Sequence, residues 1–393
     1  MRVRFGDWSA EEERERQQLC RGARAAWQAL HEGEEANACA LVRQLEPRLE
    51  LTLRRDPEAR VATAELSALE SEAWPVAQLV LEQAPGELDC ALALGRMAVP
   101  LERALREVER SHEVELEGAS LRAGFGRGHL LEITLGVPGG VGSENEQNAA
   151  ENLVRAVLGD RLFETWIGAV HVTAAPRRSS LRVLDINAPR TTLQLRELFD
   201  TVSAAVRGVV EGLPTYVSAS ESSRSARQDV ECVAVTHAPR EDWTLLEIEP
   251  MADTSGVRKD DLVLASTCTP ELLRCYLDGS PCASRRFSRA EQFVFVSYFD
   301  DEPTMQARVA RRTAIEEALA ECITGEGAVT GVGLGVKTTY VDLALCNLET
   351  GLPRLVSKLR DVRAPAHSFI QFFDTELSEE WLSIWPDSRL TEG

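Results

Sequence analysis

The hydrophobic positions of this chain recur at two periods, and the switches between them mark the elements. Over residues 9–46 the apolar residues Leu19, Ala23, Trp27 and Leu30 return every three to four positions, as one face of a helix does. Ser9 followed by Glu12 supplies a capping box at its start. LELTLRRD (49–56) alternates and predicts a strand. Residues 59–84 go back to a helical period around Leu66, Leu69, Ala73, Val76 and Val80, with Pro75 predicting a break or a kink. DCALALGRMAV (89–99) predicts another strand, and PLERALREVERSH (100–112) a helix with Pro100 at its first turn.

From Leu121 onward the pattern sharpens. HLLEITLGVP (129–138) predicts a strand. Ser143 and Glu146 stand in capping-box positions ahead of a stripe of Leu153, Val154, Val157, Leu158 and Leu162. AVHVTAAP and SLRVLDI, joined by a polar turn at 177–179, predict a hairpin, and a helix follows with Leu195, Leu198, Phe199, Val202, Val206 and Val209 on one face. A similar order closes the chain. The strand QFVFVSYF (292–299) is followed by a helix with Ile315, Ala318, Leu319, Cys322 and Ile323. The hairpin AVTGVGLGV/TTYVDLALC comes next, then a helix with Leu348, Leu352, Leu355, Val356, Leu359 and Val362, and the strand SFIQFF.

That β-α-β-β-α-β order is the split-βαβ, ferredoxin-like unit. The predicted fold class is therefore α+β: two ferredoxin-like halves with antiparallel-rich sheets and a helical N-terminal extension. The serine-rich stretch 219–229 predicts a flexible linker. The expected domains are an extension at 1–46, a first α+β domain at 47–218, the linker, and a second α+β domain at 230–393. Within the last, WTLLEIEP and DLVLAST add strands and TPELLRCYLDG a short helix.

The closing segment SFIQFFDTELSEEWLSIWPDS is apolar on both alternating faces of its strand, Phe369 and Phe373 opposing Ile370 and Phe372, so that strand must be covered on both sides. After it, Leu377, Trp381, Ile384 and Trp385 fit an amphipathic helix stopped by Pro386. That stripe covers either the chain's own sheet or a partner, and it is the candidate partner-binding surface.

Over about the last hundred residues the sequence resembles uncharacterised bacterial proteins in which a hairpin ending like Tyr340–Leu345 is followed by a helix, a strand like Ser368–Asp374 and an EEW triplet, here Glu379–Trp381. The resemblance implies a fold neighbourhood and carries no activity with it.

Composition narrows the function classes. The 63 acids against 43 bases give a net charge of −20, a surface that repels nucleic-acid phosphates and anionic membranes and attracts basic proteins; solubility alone is the plainer use of such charge. No apolar run approaches the length of a membrane span, and the N-terminus turns acidic and helical where a secretory signal is apolar. Nine scattered cysteines without a CxxC pair predict reduced thiols and a cytoplasmic location.

Each motif competes with a structural use. GEGAVTGVGLGVKTT (325–339) is rich in glycine, but Val336 separates Gly335 from Lys337 and a strand follows, so a bulged or tightly twisted hairpin is expected in place of a phosphate loop. GFGRGH (124–129) predicts a turn between strands. Cys268, Cys275 and Cys282 stand seven residues apart, too far for a metal knuckle, and are expected to be buried thiols. The six histidines lack a local partner pattern, and His171 is expected to face away from Val170 and Val172. Asp300, Asp301 and Glu302 fit either a divalent cation or the N-terminal charge of a helix, the second being favoured. Arg285, Arg286 and Arg289 around Phe287 are the candidate ligand-binding residues, suited to a carboxylate or phosphate, although pairing with surplus acids is the commoner use of such arginines.

No catalytic residue, metal site or cofactor is assigned from these patterns. The expectation is a non-enzymatic, acidic, cytoplasmic protein-binding module, in one concrete form an inhibitor or immunity-type neutraliser of a basic protein. The alternatives are a small-molecule sensor binding an anion between the halves, and a metal-dependent hydrolase built on Asp300, Asp301 and Glu302.

Overall fold

A computed structural model describes residues 2–6, 8–55, 61–140, 142–175, 193–217, 243–249 and 258–386. The fold is α+β, and the chain divides into two compact units, Glu15–Glu211 and Met1–Arg14 together with Gly212–Gly393. The expected linker at 219–229 and the second strand of the hairpin around 177–179 lie outside the described residues. The first fourteen residues group with the C-terminal unit and not with a helical extension over 1–46.

Helix α1 (Ala10–His31), most of which belongs to the unit Glu15–Glu211, starts at the expected capping box, with Ser9 N donating to Glu12 Oε2 at 2.7 Å and Glu12 N to Ser9 Oγ at 3.2 Å. Its face of Leu19, Ala23, Ala26, Trp27 and Leu30 is buried, and the Trp27 indole donates to Val80 O at 2.7 Å. Helix α2 is Glu35–Leu45. A three-stranded sheet follows, in the order β1 (Leu49–Arg54), β2 (Ala62–Ala68), β3 (Cys90–Leu94), with α3 (Trp74–Glu82) crossing between the parallel pair β2 and β3.

The helical period expected over 59–84 therefore holds only for its second half. β2 has partners on both sides and is buried on both faces, so its short apolar residues show no alternation to betray a strand. Glu65 sits within it, held by Arg54 Nη1 at 3.0 Å and by Met97 N at 3.1 Å. Pro75 falls in the first turn of α3, where its missing N–H costs nothing.

The second sheet of this unit is ordered β6-β5-β4-β7, where β4 is Ser120–Phe125, β5 Leu131–Pro138, β6 Ile167–Ala175 and β7 Leu193–Gln194. Helices α4 (Leu101–His112), α5 (Glu144–Leu158), α6 (Asp160–Trp166) and α7 (Leu198–Gly212) accompany it. The Ser143–Glu146 capping box is present. Gly159, at φ 79°, turns the chain between α5 and α6 within 3.0 Å of where a Cβ would meet Ala98 N. The GFGRGH turn joins β4 to β5 as expected, and His171 is exposed while Val170 is buried. However, β5 and β6 pair directly and in parallel, whereas a split arrangement puts a strand between them. The described strands of this half depart from the expected order there, because the β4–β5 hairpin packs outside the crossover.

In the C-terminal unit, seven strands form one antiparallel sheet ordered β14-β13-β10-β12-β11-β9-β8. They are β8 (Thr244–Glu247), β9 (Leu262–Thr267), β10 (Gln292–Phe299), β11 (Gly327–Gly335), β12 (Thr338–Leu345), β13 (Ser368–Phe372) and β14 (Trp381–Ser383). Helix α8 is the single turn Arg258–Asp261, α9 is Pro270–Leu277, α10 is Met305–Cys322 and α11 is Leu348–Asp361. Strand β12 lies between β10 and β11, so the crossover through α10 is split.

Alternation along β10 explains its continuous apolar run. Val294, Val296 and Tyr298 join Ile315 and Leu319 of α10 and Leu352 and Leu355 of α11, while Phe293 and Phe295 pack with Leu272 and Cys275 of α9, with Tyr340 and with Phe373. The glycine-rich hairpin carries the expected bulge, between Val329 and Gly331. At its tip Asp261 accepts hydrogen bonds from Lys337 N, Thr338 N and the Tyr340 hydroxyl, and only glycine fits at 335 because a Cβ there would stand 2.8 Å from Asp261 O.

The amphipathic helix expected from Leu377 to Trp385 is not formed. Thr375–Leu377 is one 3-10 turn, and Trp381–Ser383 is strand β14, paired with β13. Glu380 decides this. Its carboxylate accepts the backbone N–H of Val3 at 2.7 Å, Arg4 at 3.1 Å and Phe5 at 3.2 Å, and a helix would swing it away from them. Phe5 stacks on Phe372 with centroids 4.9 Å apart, and the Arg2 guanidinium lies 4.3 Å from the Trp381 ring centroid.

A candidate ligand cleft

The residues singled out in the sequence are placed apart or engaged. Arg285 and Arg289 are exposed, whereas Arg286 is fully buried, donates to Pro281 O and packs over Phe287. The three do not form one exposed cluster, because Arg286 is buried while Arg285 and Arg289 are exposed. Leu377 and Ile384 are buried in the sheet's own core, Trp385 packs against it, and the Trp381 ring carries Arg2, so the expected partner stripe is covered by the chain itself.

The acids of FDDEP meet arginines. Asp300 is buried and accepts from Thr339 Oγ1 at 3.0 Å, with Arg308 Nε at 3.6 Å. Arg311 bridges Asp300 at 3.6 Å, Asp301 at 3.0 Å and also Glu302. Guanidinium groups thus stand where a cation would have to sit. Among the described residues, no group of three or more His, Cys, Asp or Glu side chains is arranged to hold a metal ion, and no helix is long and apolar enough to cross a membrane. Cys275 and Cys282 are buried, and burial pushes the Cys282 thiol up to about 12, which keeps it protonated and unreactive.

Behind the hairpin tip lies a buried charge. Arg258 is ion-paired to Asp342, Nη1 to Oδ1 at 2.6 Å and Nη2 to Oδ2 at 2.8 Å, and its guanidinium carbon lies 4.6 Å from the Phe295 centroid, 5.0 Å from Tyr340 and 5.1 Å from Phe373. The ion pair, with one hydrogen bond from Nη2 to Oδ2, and the aromatic faces together offset part of the lost hydration of that cation. Burial pushes the Tyr340 hydroxyl above its ordinary range, so it stays a neutral donor to Asp261. This cluster is filled by the chain itself.

Open space occurs elsewhere, at the end of the sheet where β10 finishes and β13 begins. A cleft of about 420 Å³ lies there between α10 and the α11–β13 connection. Phe299, Ile315, Val362 and Pro365 form its apolar side; Asp301, Arg311, Arg363 and His367 form its polar side. Phe299 is 48% exposed and Val362 39%, so both leave apolar surface open at the cleft. Main-chain bonds fix the walls: Phe299 N donates to His367 O at 3.0 Å, and Ala364 N to Leu359 O at 2.8 Å. Trp385 secures the connection, its indole donating at 3.0 Å to both Ala364 O and Pro365 O.

Arg363 and His367 escaped sequence reasoning, since no motif surrounds them in DVRAPAHSF. The usable signal was Pro365 two residues beyond Arg363, a mark of a helix end that must turn back to a strand. Among the described residues, neither side chain has a carboxylate partner.

Compared with protein-family models, with curated proteins and with solved structures, the chain matches none.

Proposed function

We propose that this chain is a non-enzymatic protein-binding module whose acidic surface meets a basic protein, as an inhibitor or immunity-type neutraliser does. The observation that carries the reading is the surplus of 63 acids over 43 bases. Such a surface speeds encounter with a basic partner and shields a basic active site. The ties at Asp261, Asp300, Asp374 and Glu380 support it, because they hold loops and termini rigid and leave less to order on binding. The β10–β13 segment, with its split crossover, is read as a ferredoxin-like unit extended by β14 on one side and β9 and β8 on the other, and such sheets offer broad faces to partners.

The test is co-purification of the tagged chain from lysate at low salt. A stoichiometric basic protein, released as salt is raised, is the expected result. Recovery of the chain alone, with every basic protein equally displaced by an unrelated acidic control, would remove the reading.

A further inference from the structure

A chain with a net charge of −20 leaves two bases, Arg363 and His367, without an acid partner on the same cleft. Arg311 across from them is matched by Asp300, Asp301 and Glu302, so the unmatched positive charge of the cleft belongs to Arg363. The backbone adds an independent observation. Arg363 sits at φ 54°, in the left-handed region just past the end of α11, where glycine is the unstrained choice. An arginine there carries a modest conformational cost relative to glycine, as Glu113 and His129 do at their own positive φ.

The shape and chemistry of the cleft describe a ligand. Its volume of about 420 Å³ lies in the lower part of the range of about 300–1,000 Å³ that small-molecule sites span. A guanidinium presents a planar fork of donors that matches the two oxygens of a carboxylate. The imidazole of His367 offers a further N–H in either protonation state. Beside them the open faces of Phe299 and Val362 suit an apolar body, and Asp301 at the same mouth disfavours a dianion.

We propose that this cleft binds a small organic monocarboxylate with an aromatic or branched apolar body. The carboxylate meets Arg363 and His367, and the body lies against Phe299 and Val362. This goes beyond the reading of the acidic surface and stands or falls separately from it, since a basic partner is detected by co-purification and a small carboxylate by titration.

The experiment is isothermal titration of the full chain with 3-phenylpropanoate, indole-3-acetate and 4-methylpentanoate, with 3-phenylpropanamide and inorganic phosphate as controls. At least one carboxylate is expected to saturate a single site, with the amide and phosphate weaker by about tenfold or more. Arg363→Gln and Val362→Glu should each weaken that carboxylate by about tenfold, with the unfolding midpoint of the free protein unchanged. Arg363→Gly removes the guanidinium while relieving the backbone, so it should fold at least as well as the parent and still lose binding. The proposal is overturned if the amide binds as tightly as the acid, if both Arg363 variants bind like the parent, or if no carboxylate saturates by roughly ten millimolar.

Discussion

Asp374 carries two hydrogen bonds from one residue: Ser284 N donates to its Oδ1 at 2.6 Å and Ser284 Oγ at 2.5 Å, while the same Ser284 Oγ accepts from Phe293 N at 2.9 Å. The carboxylate thus ties the end of β13 to the start of β10. Burial pushes its pKa up to about 6 from 3.8, outweighing the Ser284 hydrogen bonds that pull it down. The folded state therefore holds this proton to higher pH than the unfolded chain does. Asp374's contribution to stability is complete below about pH 4 and is lost as pH rises through about 6, a change of about 3 kcal/mol. Urea unfolding at a series of pH values should show that decline, and Asp374→Asn, which keeps an acceptor for Ser284, should flatten it. An identical pH profile in the variant would show that another group is responsible. At this scale the sequence is readable only where partners are local. The capping boxes Ser9–Glu12 and Ser143–Glu146 could be read from their spacing, whereas Ser284 and Asp374 lie ninety positions apart and nothing nearby in the chain points from one to the other.

Elements were legible where burial is one-sided and misleading where it is not. The stripes of α5 and α11 face one core each and appear in the sequence as helical periods. The spacing predicts helix over β2 and over Leu377–Trp385, yet β2 is a strand paired with β1 and β3, and the second segment is a 3-10 turn and the short strand β14 beside the Glu380 clasp on the N-terminus. Helical spacing of apolar residues is a local property, and a strand covered on both sides or clasped by a remote segment can show the same spacing by accident. The Glu380 clasp makes this testable. Glu380→Ala leaves three backbone N–H groups at Val3, Arg4 and Phe5 without their acceptor, and it should destabilise the protein by about 3 kcal/mol, with Glu380→Gln costing less because one acceptor oxygen remains. Limited proteolysis should then cut the first residues of Glu380→Ala before the rest. Stability within about 0.5 kcal/mol of the parent, with the N-terminus equally protected, would mean that Phe5 on Phe372 holds the strap without Glu380.

For the whole molecule, charge is the dominant property visible from composition. A net −20 opposes compaction through self-repulsion, and salt screens exposed charges beyond a Debye length of about 10 Å at 0.1 M. Raising sodium chloride from about 0.02 M to about 0.5 M should therefore raise the thermal midpoint by a few degrees. A midpoint that falls would mean that screened ion pairs, such as those of Arg311, outweigh the repulsion. The α+β class, the glycine hairpin with its bulge, the two-sided strand SFIQFF and the negative charge are all determined by the sequence alone, because each follows from composition or from spacing within a dozen residues. Only the tertiary structure decided the grouping of the N-terminus with the C-terminal sheet, the neutralisation of Asp300–Glu302 by Arg308 and Arg311, and the meeting of Phe299, Val362, Arg363 and His367 around one cleft. The physical reason is the same in each case: the energy of these contacts comes from groups far apart in the chain, and sequence patterning records only what neighbours along the chain must do for one another.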